Sequence, residues 1–267
     1  MSKIPRAATV MLLRDIEGEP QLFLVRRTAT SAFAPDAYVF PGGTVDLTDT
    51  LPALHARIDG AAARETGALF RVTRTDALPT DVEHPGPLER ASILAAALRE
   101  LFEESGLLMA FPRDDAAPPP SAEQRATWRA ALRSGSMSFL DILEQGDLIA
   151  AGSAFALFSH WVTPPGEPRR YDTYFFMAIA PPGQVATADR SETHDGRWLS
   201  AKAALAAYRA GELNLVYPTI KHLERLIDCE DNSIAMRLAL TKPVVTIQPT
   251  MHPDRGFVMP SHLENVW

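Results

Sequence analysis

The sequence contains one short stretch with an unusual density of acidic side chains, Leu98-Arg99-Glu100-Leu101-Phe102-Glu103-Glu104-Ser105-Gly106-Leu107. Apolar residues at helical spacing predict an amphipathic helix that packs one side on a core; they are Leu94, Leu98, Leu101 and Phe102. Gly106 is typical of the left-handed residue that ends such a helix. Because Glu100, Glu103 and Glu104 are spaced at i, i+3 and i+4, the helix brings three carboxylates to another side within about one turn.

This arrangement of charges is unfavourable for a helix that has only a structural role. Three like charges at this spacing repel one another, and Glu103 and Glu104 lie in the last turn, where the helix dipole favours cations. A bound divalent cation would offset both effects, since carboxylate oxygens are preferred ligands of Mg²⁺ and Mn²⁺. The alternative is a solvated acidic face on which Arg99 pairs with Glu103.

Composition restricts the classes of protein to which the chain can belong. Its 267 residues and 46% hydrophobic content suit one large domain, residues 1–267, with a sizeable core. The formal net charge of −7 and the lack of a Lys/Arg run argue against nucleic acid as a partner. No apolar run approaches the ~20 residues that span a membrane, and the first residues lack the apolar segment of a signal peptide. With Cys229 as the single cysteine, we expect a cytoplasmic protein with no membrane partner.

A second short motif, Phe40-Pro41-Gly42-Gly43, predicts a strand that breaks into a turn. Two consecutive glycines permit positive φ and a close approach of the backbone to another group. Taken alone, this motif is most simply a structural turn.

Together the two motifs resemble the Nudix box, which opens on the last glycine of a Phe-Pro-Gly-Gly sequence and has the core Arg-Glu-apolar-x-Glu-Glu-x-Gly-apolar. The stretch Arg99 to Leu107 matches that core at every fixed position. The spacing departs from the family pattern, because Gly43 and Arg99 are 56 positions apart where the family has about 14. The difference indicates an insertion of about 42 residues, at about 47–89, which we expect to be partly helical (Leu51 to Phe70) and to form a flap beside the site.

The first glutamate of the family box has no clean equivalent in this chain. Asp46 and Asp49 follow Gly43 at roughly the right distance, and Ala91 occupies the position eight before Arg99. That glutamate usually has a structural role in the family, so the resemblance does not depend on it.

Basic side chains at predicted strand ends are candidates for phosphate contact, because Arg suits bidentate binding of phosphate oxygens. They form two pairs, which are Arg26, Arg27, Arg169 and Arg170. Arg26 and Arg27 lie at the end of the second of two neighbouring predicted strands, Ala7–Arg14 and Gln21–Thr28. Arg169 and Arg170 lie at the start of the second strand of another such pair, 154–163 and 169–178. A solvated strand or loop end is the alternative for each pair.

Residues 188–200 resemble a further family landmark, an acidic loop followed by a strand that ends in Trp-apolar-Ser and then a helix, here Ala201 to Ala210. In the family this loop often presents one more acid to the metal. The resemblance implies Glu192 as the first candidate and Asp189 as the second, and an exposed acidic loop is the alternative.

The resemblance implies an α/β fold, an α/β/α sandwich around a mixed β-sheet, with a helical insertion and a C-terminal extension at about 211–267. It implies Mg²⁺ or Mn²⁺ held by three ligands, which are Glu100, Glu103 and Glu104. Glu103 or Glu192 would act as the base for a water molecule that attacks a diphosphate. Arg99 would orient a box carboxylate, and Gly42 and Gly43 would let the backbone approach the substrate.

The long insertion, together with residues 160–164 and 169–173, is similar to the branch of the superfamily that includes the mammalian peroxisomal coenzyme A diphosphatase. This similarity implies hydrolysis of coenzyme A or its acyl esters to adenosine 3′,5′-bisphosphate and (acyl-)phosphopantetheine. The alternatives are another dinucleotide such as NADH or ADP-ribose, and a Nudix-fold module that senses a nucleotide without cutting it. The intact glutamate triad argues against the sensor. The partner implied is a small-molecule nucleotide, and a homodimer is possible.

Overall fold

The computed structural model describes residues 4–31, 34–71, 79, 81–188, 193–254 and 256–267. The strands described there are β1 (Arg6–Ile16), β2 (Glu19–Arg27), β3 (Tyr38–Val39), β4 (Gly42–Thr44), β5 (Ala110–Pro112), β6 (Leu148–Ala150), β7 (Ala156–Val162), β8 (Asp172–Ile179), β9 (Thr193–Ser200), β10 (Thr246–Ile247), β11 (Thr250–His252) and β12 (Gly256–Val258). The α-helices are α1 (Pro52–His55), α2 (Ala63–Leu69), α3 (Pro87–Ser105), α4 (Ala122–Arg133), α5 (Phe139–Gln145), α6 (Ala201–Arg209), α7 (Tyr217–Leu226) and α8 (Asn232–Thr241), and short 3-10 helices span Leu47–Thr50 and Gly152–Ala154. None of these described helices combines the length and the apolar character needed to cross a membrane.

The main sheet has the strand order β10-β7-β8-β1-β2-β3, with β4 also beside β1 and β9 also beside β2. The pairs β1/β8 and β7/β10 are parallel and the other pairs are antiparallel, so the sheet is mixed as predicted. Near its first residues β1 pairs with β4, at Ala7–Thr9, rather than with β2. This pairing brings Gly42 and Gly43 to the middle of the sheet as residues of β4, so the turn predicted at these two glycines is wrong.

The two faces of the sheet are covered by different helices. Side chains alternate along β1, so Ala8 and Val10 pack in the core beneath α3, whereas Met11 and Leu13 pack in a second core with α6, α7 and α8. The result is the expected α/β/α sandwich. The C-terminal extension is therefore part of the sandwich, because it supplies α7 and α8 and adds β10 to the edge of the sheet.

Helix α3 is the central helix on the first face. Its start is defined by Gly86, whose backbone N–H donates to Glu89 at 2.8 Å, and its end is Gly106, with φ of +75° and an N–H that donates to the Phe102 carbonyl at 2.8 Å. The four apolar side chains that predicted the helix are at most 1% exposed. The predicted end at Gly106 is therefore confirmed.

The inserted segment packs on the core over its described first half. Leu54, Ile58 and Phe70 are buried in the core beneath α3. The helical part is more broken than predicted, because Gly60 has φ of +74° and the backbone at 57–59 is hydrogen-bonded to Ala150. Residues 72–78 and 80 of the second half lie outside the described residues, so the flap stays a prediction, as does the single-domain assignment.

The second core contains a buried histidine whose proton position is fixed by its neighbours. His222 Nδ1 lies 2.6 Å from the Pro218 carbonyl, which can only accept, so Nδ1 is the donor. Nε2 then accepts from the Ser159 hydroxyl at 2.6 Å, and Ser159 Oγ itself accepts from Trp161 Nε1 at 3.1 Å. Burial lowers the pKa of His222 to about 3.

Acidification should therefore destabilise the protein through His222. The unfolded chain binds a proton at His222 near the ordinary pKa of 6.5, and the folded chain only near 3. The stability that neutral His222 contributes is therefore complete above pH 6.5 and is lost progressively as the pH falls from 6.5 to 3. We expect a loss of up to about 1.4 kcal/mol per pH unit from this group. In denaturant unfolding at pH 7.5, 6 and 5, the free energy of unfolding should fall less with decreasing pH in His222→Gln than in the wild type or in the control His252→Gln. Identical slopes in all three proteins would contradict the assignment.

Candidate active site

Arg99 is the centre of the polar network on the catalytic side of α3. Its Nε and Nη2 donate to the two carboxylate oxygens of Asp49, at 2.9 and 2.8 Å. Nη1 donates to Glu100 Oε1 at 2.8 Å and to Glu103 Oε2 at 3.4 Å, and Nη2 also donates to the Thr44 carbonyl at 3.0 Å. The guanidinium therefore joins two box carboxylates to the backbone of β4, and the orienting role predicted for it stays a prediction.

Asp49, near the start of the insertion, is the acid that pairs with Arg99. It is fully buried, and it also accepts the Asp46 backbone N–H at 2.8 Å. Asp46 is the more exposed of the two aspartates, with a side chain 60% exposed and 3.8 Å from Arg99. The structure thus separates two residues that the sequence left as alternatives.

Gly42 and Gly43 of β4 fit closely against both α3 and β1. Gly42 N–H donates to Glu104 Oε2 at 2.9 Å. A Cβ on Gly43 would overlap the Glu100 carboxylate, and a Cβ on Gly42 would overlap the backbone of Ala8 and Thr9. Both glycines thus allow a close approach to other groups of the protein, and their approach to substrate stays a prediction.

The three box glutamates do not form a solvated face. The side chains of Glu100 and Glu103 are 14% and 26% exposed, and Glu104 is 5% exposed. Burial raises the pKa of Glu100 to about 7, Arg99 opposes this shift, and the neighbouring Glu103 adds to it. The solvated face of the alternative reading is therefore contradicted for Glu100 and Glu104, whereas its pairing of Arg99 with Glu103 is observed at 3.4 Å.

The donor set suits Mg²⁺ or Mn²⁺ in its chemistry, since it consists of carboxylate oxygens. Glu100 and Glu103 come closest to a shared site, because both contact the same Arg99 nitrogen. Glu104 is turned to Gly42, and among the described residues no three Asp, Glu, His or Cys side chains form a metal-ligand group. Glu192 and Asp189 lie outside the described residues. The predicted ligand set, and the role of Glu192, stay predictions.

The two arginines at the end of β2 lie at an irregularity of the sheet. The pairing of β2 with β9 shifts its register between Arg26 and Arg27, so the alternation of side chains along β2 does not assign Arg27 to a face. Arg26 forms an ion pair with Asp36 at 3.2 Å. Contact of either arginine with phosphate stays a prediction.

The arginines between β7 and β8 have different environments. Arg170 donates to the Thr163 carbonyl at 2.9 Å and pairs with Asp81 of the insertion. Arg169 is exposed. The structure therefore shows Arg170 holding the insertion to the β7–β8 loop, and its contact with phosphate stays a prediction.

One residue beside the carboxylates was not indicated by the sequence. Arg129 of α4 donates to the backbone carbonyls of Glu103 and Glu104, both at 2.8 Å. Its partners lie 26 and 25 positions away along the chain. No local pattern could have identified it, because an arginine in an amphipathic helix is usually a solvated residue.

Comparison with known proteins agrees with this fold. A sequence model described as the NUDT19 Nudix domain matches residues 5–226, and the chain therefore belongs to this family of Nudix proteins. A Nudix hydrolase from Alicyclobacillus acidocaldarius has a similar solved structure, with a TM-score of 0.64 and 26% identity over 89% of this chain and 97% of that one.

The curated relatives have a more specific description. Proteins named acyl-coenzyme A diphosphatase NUDT19, from Gallus gallus and Homo sapiens, are each 29% identical over 77% of this chain. The chain spans 61% and 60% of their lengths, respectively.

The two glycines should respond differently to the same substitution. Gly43→Ala should displace the flexible Glu100 carboxylate and lower the affinity for Mn²⁺ by about 10- to 100-fold, with little loss of stability. Gly42→Ala meets rigid backbone instead, so it should destabilise the fold by about 1–3 kcal/mol. Titration calorimetry with Mn²⁺ and thermal unfolding of both variants would test this difference. If the two variants had the same Mn²⁺ affinity and the same thermal stability, the close approach of Gly43 to Glu100 would be contradicted.

Proposed function

We propose that this protein is a Nudix-type diphosphatase that uses Mg²⁺ or Mn²⁺ to hydrolyse coenzyme A or acyl-coenzyme A. The products would be adenosine 3′,5′-bisphosphate and (acyl-)phosphopantetheine. The observation that carries the proposal is the set of partly buried box carboxylates around Arg99, in a chain whose curated relatives are named acyl-coenzyme A diphosphatases.

The carboxylates of α3 are the proposed ligands of the cation. Glu100 and Glu103 would hold it, with Glu104 as the third ligand once its second oxygen turns to the site. When bound, the cation supplies charge neutralisation at the diphosphate oxygens and activation of water. Arg99 keeps the two carboxylates at fixed positions, and its own charge is balanced by Asp49.

The chemical step is attack of water on a phosphorus atom of the diphosphate. The bond to the bridging oxygen breaks, and the two phosphate products separate. The proton leaves the water for a carboxylate, and we assign this role to Glu103, the more exposed of the two glutamates on Arg99 Nη1. Glu192 is the second candidate for the base.

We propose that basic side chains and the glycine backbone near α3 contact the substrate. Arg27, at the end of β2, is suited to phosphate oxygens by its fork of donors. Gly42 and Gly43 would let the diphosphate approach the backbone. Arg169 is a more remote candidate.

The test is incubation of the purified protein with coenzyme A, acetyl-coenzyme A, NADH and ADP-ribose, each with Mg²⁺, with Mn²⁺ and with chelator. Products would be separated by chromatography. We expect metal-dependent release of adenosine 3′,5′-bisphosphate from the coenzyme A compounds. Cleavage of NADH or ADP-ribose alone would overturn the substrate and keep the chemistry. No cleavage, with nucleotide binding detected by calorimetry, would favour a sensor.

A further inference from the structure

The C-terminal end of α3 has an unusual set of hydrogen-bond partners. The last carbonyls of a helix have no partner within the helix and must find one elsewhere. The Phe102 carbonyl accepts from Gly106 N–H, and the Ser105 carbonyl accepts from Thr187 N–H, each at 2.8 Å. The two carbonyls between them belong to Glu103 and Glu104, the proposed ligands.

Both of these carbonyls accept hydrogen bonds from the same side chain. Arg129 Nε donates to the Glu103 carbonyl and Nη2 to the Glu104 carbonyl, each at 2.8 Å. Gly106 makes this approach possible, since a Cβ at that position would lie 2.8 Å from Arg129 Nη1. A planar fork of donors fits two successive carbonyls in a way that a point charge does not.

The same guanidinium also holds the segment that precedes residues 189–192. Arg129 Nη1 donates to Thr187 Oγ1 at 2.9 Å and Nη2 to the Thr187 carbonyl at 2.8 Å. A second link lies close by, because the Gln184 amide exchanges hydrogen bonds of 2.9 and 3.0 Å with the backbone of Leu108. The chain that leads to Asp189 and Glu192 is thus fastened to the end of α3.

Arg129 also supplies the charge that this helix end requires. A cation is favourable at a helix C-terminus, where α3 instead has Glu103 and Glu104. The guanidinium lies against the backbone carbonyls of these two residues. The unfavourable position of the two acids is therefore compensated from another helix.

We propose that Arg129 is a positioning residue of the active site. It fixes the last turn of α3 against the segment entering residue 189, and it thereby sets the affinity of the box carboxylates for a divalent cation. The inference rests on the proposed function for the identity of the bound ion, and it assigns Arg129 no contact with substrate.

The experiment compares Mn²⁺ binding to wild type, Arg129→Gln and Arg129→Lys by titration calorimetry without substrate. We expect the affinity for Mn²⁺ to fall about 10-fold or more in Arg129→Gln. Arg129→Lys should recover part of the thermal stability and only part of the affinity, because it keeps the charge and loses the fork. Where the wild type is active, kcat should fall more than KM rises.

The matched control is Arg125→Gln, one turn earlier on α4, where the guanidinium contacts the Pro120 carbonyl. It should leave the Mn²⁺ affinity unchanged. Unchanged affinity in Arg129→Gln, with lower stability alone, would overturn the proposal and leave the diphosphatase intact. A wild type that binds Mn²⁺ but cleaves nothing would overturn the diphosphatase, and the affinity ratio would still decide the role of Arg129. A wild type that binds no Mn²⁺ would overturn the positioning role too.

Discussion

Replacing Asp49 by alanine should lower the free energy of unfolding by about 3–5 kcal/mol. Asp49 is fully buried, and it balances a guanidinium whose side chain is only 7% exposed. Removing the carboxylate leaves that charge buried with two fewer hydrogen bonds. The loss should be visible as a lower midpoint in urea, and Mn²⁺ affinity should fall as well, because Arg99 would no longer be held beside Glu100.

Asp46→Ala is the control for this experiment, since its carboxylate is largely exposed and 3.8 Å from the same arginine. It should cost less than about 1 kcal/mol. A double variant, Asp49→Leu with Arg99→Met, removes both charges and should regain much of the stability without regaining Mn²⁺ affinity. If Asp49→Ala were no worse than Asp46→Ala, the buried pair would not hold the site together.

Glu103→Gln should abolish metal-dependent hydrolysis and leave the fold intact. The carboxylate is 26% exposed, and its distance to Arg99 Nη1 is a long 3.4 Å. Its loss should therefore change the free energy of unfolding by less than about 1 kcal/mol. The rate should fall by about 10²- to 10⁴-fold, the range for a general base. Steady-state assays on the best substrate and thermal unfolding would give both numbers.

A titration with Mn²⁺ separates the two roles proposed for Glu103. If it were only a ligand, high Mn²⁺ should restore the rate of Glu103→Gln, whereas a lost base cannot be restored in this way. Glu123→Gln, on the exposed face of α4, serves as a control for the substitution. Full activity of Glu103→Gln at low Mn²⁺ would remove the proposed mechanism.

Much of the fold was predictable because its signals are local. The apolar spacing of α3 and the glycine at its end determine where the helix lies and stops, and two apolar runs joined by a turn-like segment predict the pairing of β1 with β2. The positions of Arg26 and Arg27 could not be predicted in this way, because the pairing of β2 with β9 shifts its register between them.

The contacts that assemble the site were less predictable, because their partners are distant in the chain. The choice between Asp46 and Asp49 required the fold of the insertion, which breaks the family spacing. Arg129 lies in an ordinary amphipathic helix, and its function depends on how α4 packs on α3. The role of α7 and α8 as a layer of the sandwich likewise follows from the sheet that they cover.

The insertion between Gly43 and α3 also changes how the site must form during folding. The two halves of the motif are 56 positions apart instead of about 14, so their meeting closes a loop four times as long. The added entropy of closure grows only as the logarithm of length and amounts to about 1.2 kcal/mol for two doublings. We therefore expect the motif to assemble late, after the sheet and α3 have docked, as a tertiary structure and not as a local turn.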